Sequence, residues 1–262
     1  MEKQKKRGSR IRNVILAAAV LVFAVSAWQL VSIYLEYRQG SDEYDRLADA
    51  AEEYLEAAAD TGEEAAGQES GGIREPRPWT EFFLSMQAQN PDYVGWIRIG
   101  DTQIDYPIVQ TEDNDYYLSH TFERTENAAG TLFVDCNITE AMEAKHVIVY
   151  GHNMKNGSMF ANLKKFRDDS FFDGHRTFQV FTETGFYTYE IFAVYVTEPD
   201  SDVYTIGFAD EADFMNYIGQ AKERSEQKTD VTVSSEDHII TLSTCVNHNQ
   251  DRLVVQAKRL KS

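Results

Sequence analysis

Hydrophobic positions along the chain fall into three regimes. From Val14 to Ile33 they are continuous: VILAAAVLVFAVSAWQLVSI carries no charge, and only Ser26, Gln29 and Ser32 are clearly polar. At about 1.5 Å per helical residue such a run spans roughly 30 Å, the thickness of a hydrocarbon core. From Glu36 to about Ala59 the spacing becomes helical, with Leu47, Ala51, Leu55 and Ala58 on one stripe. The next stretch, TGEEAAGQESGGIREPRP, is rich in Gly, Glu and Pro and reads as a linker. From Trp79 onward the pattern is that of a packed domain. TEFFLSMQAQN predicts a short helix, with Phe82, Phe83 and Met86 at helical spacing. The segments YVGWIRI, IDYPIVQ, TLFVDC, HVIVYG, TFQVFT, FYTYEIFAVYV, VTV, HIITLSTC and RLVVQAKRL then predict strands. Helices are expected between them at 158–166 and at 209–227, where Phe214, Ile218 and Ala221 share a face. Many strands with few helices predict a mainly β fold, an antiparallel or mixed barrel with helical insertions.

Charge sharpens this division. Lys3, Lys5, Lys6, Arg7, Arg10 and Arg12 precede the apolar run, and 13 acids against three bases follow it between Glu36 and Glu75. That asymmetry predicts a cytoplasmic N-terminus and an outer remainder. A cleaved signal peptide would need a shorter apolar core and a small-residue cleavage site, whereas Trp28 and Tyr34 suit an interfacial belt. The expected organisation is a basic cytoplasmic tail (1–13), a single transmembrane helix (14–33), an acidic helical stalk and linker (34–78) and an extracellular domain (79–262). The stalk is expected to be solvated, as charge runs usually are. Overall, 43 Asp and Glu against 25 Lys and Arg give a formal charge of −18. This excludes a nucleic-acid partner, which needs a basic face. Two cysteines, Cys136 and Cys245, exclude a disulfide scaffold and a four-cysteine metal site. His120, His146, His175 and His238 lack metal-ligand spacing, so neither metal nor cofactor is expected.

Candidate chemistry concentrates in two places. In HIITLSTC, a strand puts Ile239, Thr241, Ser243 and Cys245 on one face and Ile240, Leu242 and Thr244 on the other. Cys245 then ends the strand, and Arg252 opens the next one after VNHNQD. If the two strands form a hairpin, Arg252 lies near the register of Cys245. A guanidinium there favours a thiolate and can donate hydrogen bonds to an oxyanion. In HVIVYGHNM, His152 follows an apolar strand through Gly151, which gives the backbone room to turn. A nucleophile, an acid/base and an anion stabiliser are the set that acyl transfer needs. Other readings stay open at this level. Cys245 can be a buried small hydrophobe, as Cys136 is expected to be, or the two can form a disulfide that silences the thiol. His248 is a rival base, and Arg252 can be a surface partner of Asp251.

These residues carry a resemblance. TLSTC matches the TLxTC signature of sortases, and YGHNM with GSMF, NPDYVGWIRI and IDYPIVQTEDNDYYL resemble the class B pattern. Over residues 79–262 the chain thus resembles class B sortases, the membrane-anchored cysteine transpeptidases of Gram-positive surfaces, counted with the cysteine peptidases. The resemblance implies a sortase-like eight-stranded β-barrel preceded by a transmembrane helix and helical stalk. It implies Cys245 as nucleophile, His152 as acid/base and Arg252 as the anion-stabilising arginine. It also maps a substrate groove onto Asn114, Leu118, Ser243, Thr244, Tyr204 and Thr205. The thiolate would attack the Thr carbonyl of a C-terminal sorting signal of Asn/Ser-Pro-x-Thr type on a surface protein. A cell-wall peptide amine would resolve the thioacyl-enzyme. The alternatives are a hydrolase that releases the same acyl-enzyme to water and a non-catalytic peptide-binding barrel.

Overall fold

The computed structural model describes residues 2–60 and 78–260. Helix α1 (Glu2–Asp60) leads to α2 (Pro78–Gln89) and then to eight strands. They are β1 (Tyr93–Arg98), β2 (Asp105–Val109), β3 (Leu132–Val134), β4 (His146–Tyr150), β5 (Thr177–Thr182), β6 (Gly185–Thr197), β7 (Ile239–Val246) and β8 (Asp251–Arg259). A short α3 (Asp169–Gly174) precedes β5, and α4 (Glu211–Arg224) lies between β6 and β7. The strands close into a barrel in the order β1-β2-β3-β4-β7-β8-β6-β5. Closure leaves no free sheet edge. The β2–β3 and β4–β7 pairs are parallel and the other ladders antiparallel. This is the eight-stranded, helix-decorated barrel that the sequence pattern and the resemblance imply.

The alternation read in HIITLSTC divides two cores. Ile240 and Leu242 pack inside the barrel with Trp96, Leu132 and Val255, while Ile239 faces outward under α4 with Phe214, Ile218 and Val254. Helix α4 forms because Asp210 caps it, accepting the Asp213 amide, and Lys222 and Arg224 sit in its last turn, where the helix dipole favours cations. Because β7 is covered on both faces, its side chains are buried until Cys245, where the strand emerges from beneath its neighbours.

Three expectations about elements change. VTV, read as a strand, pairs with no ladder; Val231 and Val233 instead bury against α4 in an irregular segment. The helix expected at 158–166 is a 3-10 stretch, Phe160–Arg167, followed directly by α3. The stalk is not solvated throughout: Tyr44, Leu47 and Ala51 of α1 are buried in the main core. The apolar stripe of this helix docks on the barrel, with Glu43 buried beside it, while Asp42, Asp45 and Asp49 face solvent. Leu55 and Ala58 have side chains outside the described set, and the linker reading at 61–77 falls outside the described residues. Upstream, α1 contains a helix long and apolar enough to cross a membrane, and its apolar window has no protein cover. Phe23 is 75% and Trp28 70% exposed, so no described residue covers that surface.

Candidate active site

Parallel pairing of β4 with β7 brings the histidine and cysteine segments together. Tyr150 and Ser243 are the last partners of the ladder, and His152 and Cys245 each lie two residues beyond it. The two chains stay tied past the ladder. Gly151 donates its amide to the Ser243 carbonyl at 3.1 Å, Thr244 Oγ1 donates to the Gly151 carbonyl at 2.7 Å, and Asn153 Nδ2 donates to the Cys245 carbonyl at 2.9 Å. Gly151 is required for a reason other than turning. A Cβ there would lie 2.4 Å from Leu132 Cδ2 and 2.7 Å from Phe160 Cδ2, so the glycine allows close packing beneath His152.

Antiparallel pairing of β7 with β8 supplies the arginine, with Cys245 and Arg252 as register partners. The connection turns through Asn247, His248 and Asn249, all left-handed with φ of 50°, 59° and 69°. Asn and His tolerate that region better than most residues, which suits NHN to so tight a reversal. Asn247 Nδ2 donates to Asp251 Oδ2 at 2.6 Å, occupying that carboxylate. Arg252 Nη1 donates to the carbonyls of Asn249 and Asp251, each at 3.2 Å. Among the described residues Arg252 has no ion pair, so the reading of it as a partner of the Asp251 carboxylate is set aside.

His152 is half-buried, and its Nε2 lies 2.8 Å from the Leu118 carbonyl oxygen. A carbonyl can only accept, so Nε2 carries the proton and Nδ1 is left as the acceptor. The rival base, His248, is exposed at the hairpin tip and does not line the cleft described next. Cys136 and Cys245 are both free, so the disulfide alternative is not realised. Cys136 is half-buried just past β3 and not the fully buried residue expected; burial and the neighbouring Asp135 raise its thiol pKa. That shift keeps it protonated.

Cys245, His152 and Arg252 all line one cleft of about 410 Å³. Asn114, Leu118, Ser243, Thr244 and Tyr204 line it too. Thr205 does not. Its carbonyl accepts from His146 Nδ1 at 2.7 Å and its hydroxyl donates to the Asp202 carbonyl at 2.8 Å, so both its polar groups are engaged away from the cleft. The walls are held by polar contacts. Tyr204 OH and Ser243 Oγ are 2.9 Å apart. Asn114 accepts the Cys136 amide at 2.8 Å and donates to Asp135 Oδ2 at 3.2 Å, and Tyr150 OH donates to the same oxygen at 2.8 Å. Burial raises the phenol pKa of Tyr204, and burial together with the Asp135 charge raises that of Tyr150, so both stay protonated donors. Phe133, Tyr150, Pro199, Asp200 and Ser201 also line the cleft and were not anticipated. Phe133 and Tyr150 read as core positions in strands, and 199–201 is a loop with no pattern of its own. Among the described residues no His, Cys, Asp and Glu group could hold a metal. What remains is an electron-pair donor, a titratable base and a guanidinium around one solvent-open space, a set suited to acyl transfer.

Comparison with known proteins agrees with that chemistry. Residues 97–260 match the Sortase domain family. The chain is 38% identical to Sortase B of Listeria monocytogenes over 240 residues, covering 90% of this chain and 92% of the relative. It is 27% identical to Sortase B of Staphylococcus aureus over 259 residues, covering 97% and 99%. Among solved structures, sortase B from Listeria monocytogenes aligns at 44% identity with a TM-score of 0.62, covering 67% of this chain and 99% of that one. A Staphylococcus aureus sortase B–substrate complex aligns at 26% identity with a TM-score of 0.74, covering 87% and 99%. The chain therefore belongs to the sortase family, as a class B cysteine transpeptidase.

Proposed function

We propose that this chain is anchored by α1 in the membrane with its barrel outside the cell, where it cleaves sorting signals after Thr and transfers the surface protein to a cell-wall amine. The observation that carries the reading is the sharing of one cleft by Cys245, His152 and Arg252. In this scheme the Cys245 thiolate attacks the Thr carbonyl and Arg252 stabilises the oxyanion. His152, entering this step as an imidazolium, delivers its Nδ1 proton to the departing amine, leaving a neutral ring and a thioacyl-enzyme. The acceptor amine then attacks the thioester, His152 takes its proton, and Cys245 departs as thiolate. Asn114, Leu118, Ser243, Thr244 and Tyr204 hold a peptide of Asn/Ser-Pro-x-Thr type. That a Staphylococcus aureus sortase B is solved as a substrate complex supports substrate binding by this chain. The basic flank before the apolar run and the exposed apolar face of α1 support the anchored topology.

The test mixes the full chain in detergent with a sorting-signal peptide and an amine such as a short glycine peptide. Mass spectrometry should find a thioacyl adduct on Cys245 and an amide-linked product. Free acid as the sole product would favour the hydrolase. Turnover that survives Cys245→Ala would overturn the mechanism.

A further inference from the structure

The carbonyl that holds the His152 ring belongs to Leu118, in the segment joining β2 to β3, and this segment is gripped from outside the barrel. Within it, Thr131 donates its amide to the Tyr117 carbonyl at 3.0 Å, and Asn127 donates its amide to the Ser119 carbonyl at 2.9 Å. Gly130 is left-handed, with φ of 59°, and a Cβ there would sit 2.4 Å from the Tyr117 oxygen and 3.1 Å from the Leu118 oxygen. The Leu118 peptide is therefore packed against Gly130 with no slack.

Helix α1 closes on that same point. Tyr44 donates its hydroxyl to the Gly130 carbonyl and lies 3.0 Å from Thr131 Oγ1. Asn127 Nδ2 donates to the Glu36 carbonyl and the Ala128 amide to Glu36 Oε1, both at 2.8 Å. The Glu123 amide donates to Glu43 Oε1 at 2.9 Å, and Glu43 is 5% exposed. A carboxylate is buried at such cost only where its partners are fixed. Gly40 is buried beside Asn127, and a Cβ would come 3.1 Å from Asn127 Oδ1. Contacts thus run from Tyr44 through Gly130 to the Leu118 peptide and on to His152.

We infer that α1 is a positioning element of the transpeptidase site: by clamping Gly130 through Tyr44, and residues 127–128 through Glu36, it seats the Leu118 carbonyl that selects the tautomer and orientation of the His152 ring. The inference rests on the acid/base reading of His152. A neutral carbonyl does for this imidazole what a carboxylate does in other acyl-transfer sites: it holds Nε2–H and leaves Nδ1 facing the chemistry. Because the same helix carries the apolar run, docking of the anchor and alignment of the base are one structural event.

The test compares full-length Tyr44→Phe, Glu36→Ala and wild-type chains in detergent. Tyr195→Phe, which loses a buried hydroxyl contact to Gln256 under α4, is the stability control. Thioacylation of a sorting-signal peptide is followed against pH. The α1 variants should lose about tenfold in kcat with KM changed less than about twofold, since a misplaced base slows chemistry more than binding. Their histidine limb of the pH profile should move, and the 15N ring shifts of His152 should show a mixed tautomer. Tyr195→Phe should lower Tm without either change. An unchanged limb and unchanged ring shifts in both α1 variants would overturn the inference. If Tyr44→Phe does not fold, the milder surface variant Glu36→Ala decides it. His152→Ala is run alongside: full turnover there defeats the acid/base reading itself, whatever the α1 variants do.

Discussion

Cys245 lies directly opposite Arg252 in the antiparallel β7–β8 ladder. Both stand where the hairpin leaves the barrel, so the two side chains reach the same cleft from neighbouring strands. The guanidinium bonds the Asn249 and Asp251 carbonyls and, among the described residues, no carboxylate, which leaves its charge uncancelled at the sulfur's edge of the cleft.

That arrangement makes Arg252 sensitive to shape as well as charge. Arg252→Ala should lower kcat/KM by about 10²–10³, the usual loss of one oxyanion donor. Arg252→Lys should recover little, because an ammonium lacks the planar fork that reaches two directions at once. Single-turnover thioacylation kinetics measure both. A lysine variant within a factor of about three of wild type would mean that charge alone suffices.

Gly151→Ala tests the close packing below the histidine. The added methyl meets Leu132 and Phe160 side chains at well under contact distance. Either those side chains repack or the strand end shifts, and with it the Gly151 carbonyl that accepts from Thr244. Overpacking of this kind costs about 1–3 kcal/mol. Lower Tm together with reduced kcat is expected by scanning fluorimetry and peptide assay; unchanged values would show that the site yields freely.

Tyr204→Phe removes the hydroxyl that meets Ser243 Oγ. One neutral hydrogen bond is worth about 1 kcal/mol, so KM for the peptide should rise about fivefold. Because the phenol's hydrogen bond goes to Ser243 and, among the described residues, not to Cys245, His152 or Arg252, kcat should hold within about twofold. A large fall in kcat with KM intact would instead place this phenol in the chemistry.

His146 is fully buried, donates Nδ1–H to the Thr205 carbonyl and accepts from Thr241 Oγ1 through Nε2, both at 2.7 Å. Burial pushes its pKa down to about 4 from an ordinary 6.5. The folded chain then binds fewer protons than the unfolded chain between those values. Its stability contribution is complete above about pH 6.5 and is lost as pH falls toward about 4, on the order of 3 kcal/mol in all. His146→Gln should therefore flatten the fall of Tm between pH 7 and 5. Parallel curves for the two proteins would show that the acid sensitivity lies elsewhere.

Local pattern alone was enough for most of the strands, for α4 and for the place of Cys245 near the end of a strand, because alternation and caps act over a few positions. The hairpin offset that sets Arg252 against Cys245 was also legible, since only six residues separate them. It was not enough for Thr205, whose neighbour Tyr204 enters the cleft while Thr205 turns to His146, nor for VTV, whose strand-like residues find no ladder. The buried stripe on α1 was visible as Leu47 and Ala51, but not the surface it would meet.

Folding decided the rest. Parallel pairing of β4 with β7 joins segments whose contacting residues, Thr244 and Gly151, are 93 positions apart. No local preference encodes such a register; it follows from closing eight strands around one apolar interior. The Leu118 carbonyl is likewise 34 positions from His152, and a main-chain oxygen has no signature in the amino-acid order. Side-chain chemistry is written residue by residue, whereas the meeting of those side chains, and the backbone atoms that aim them, exist only once the barrel is closed.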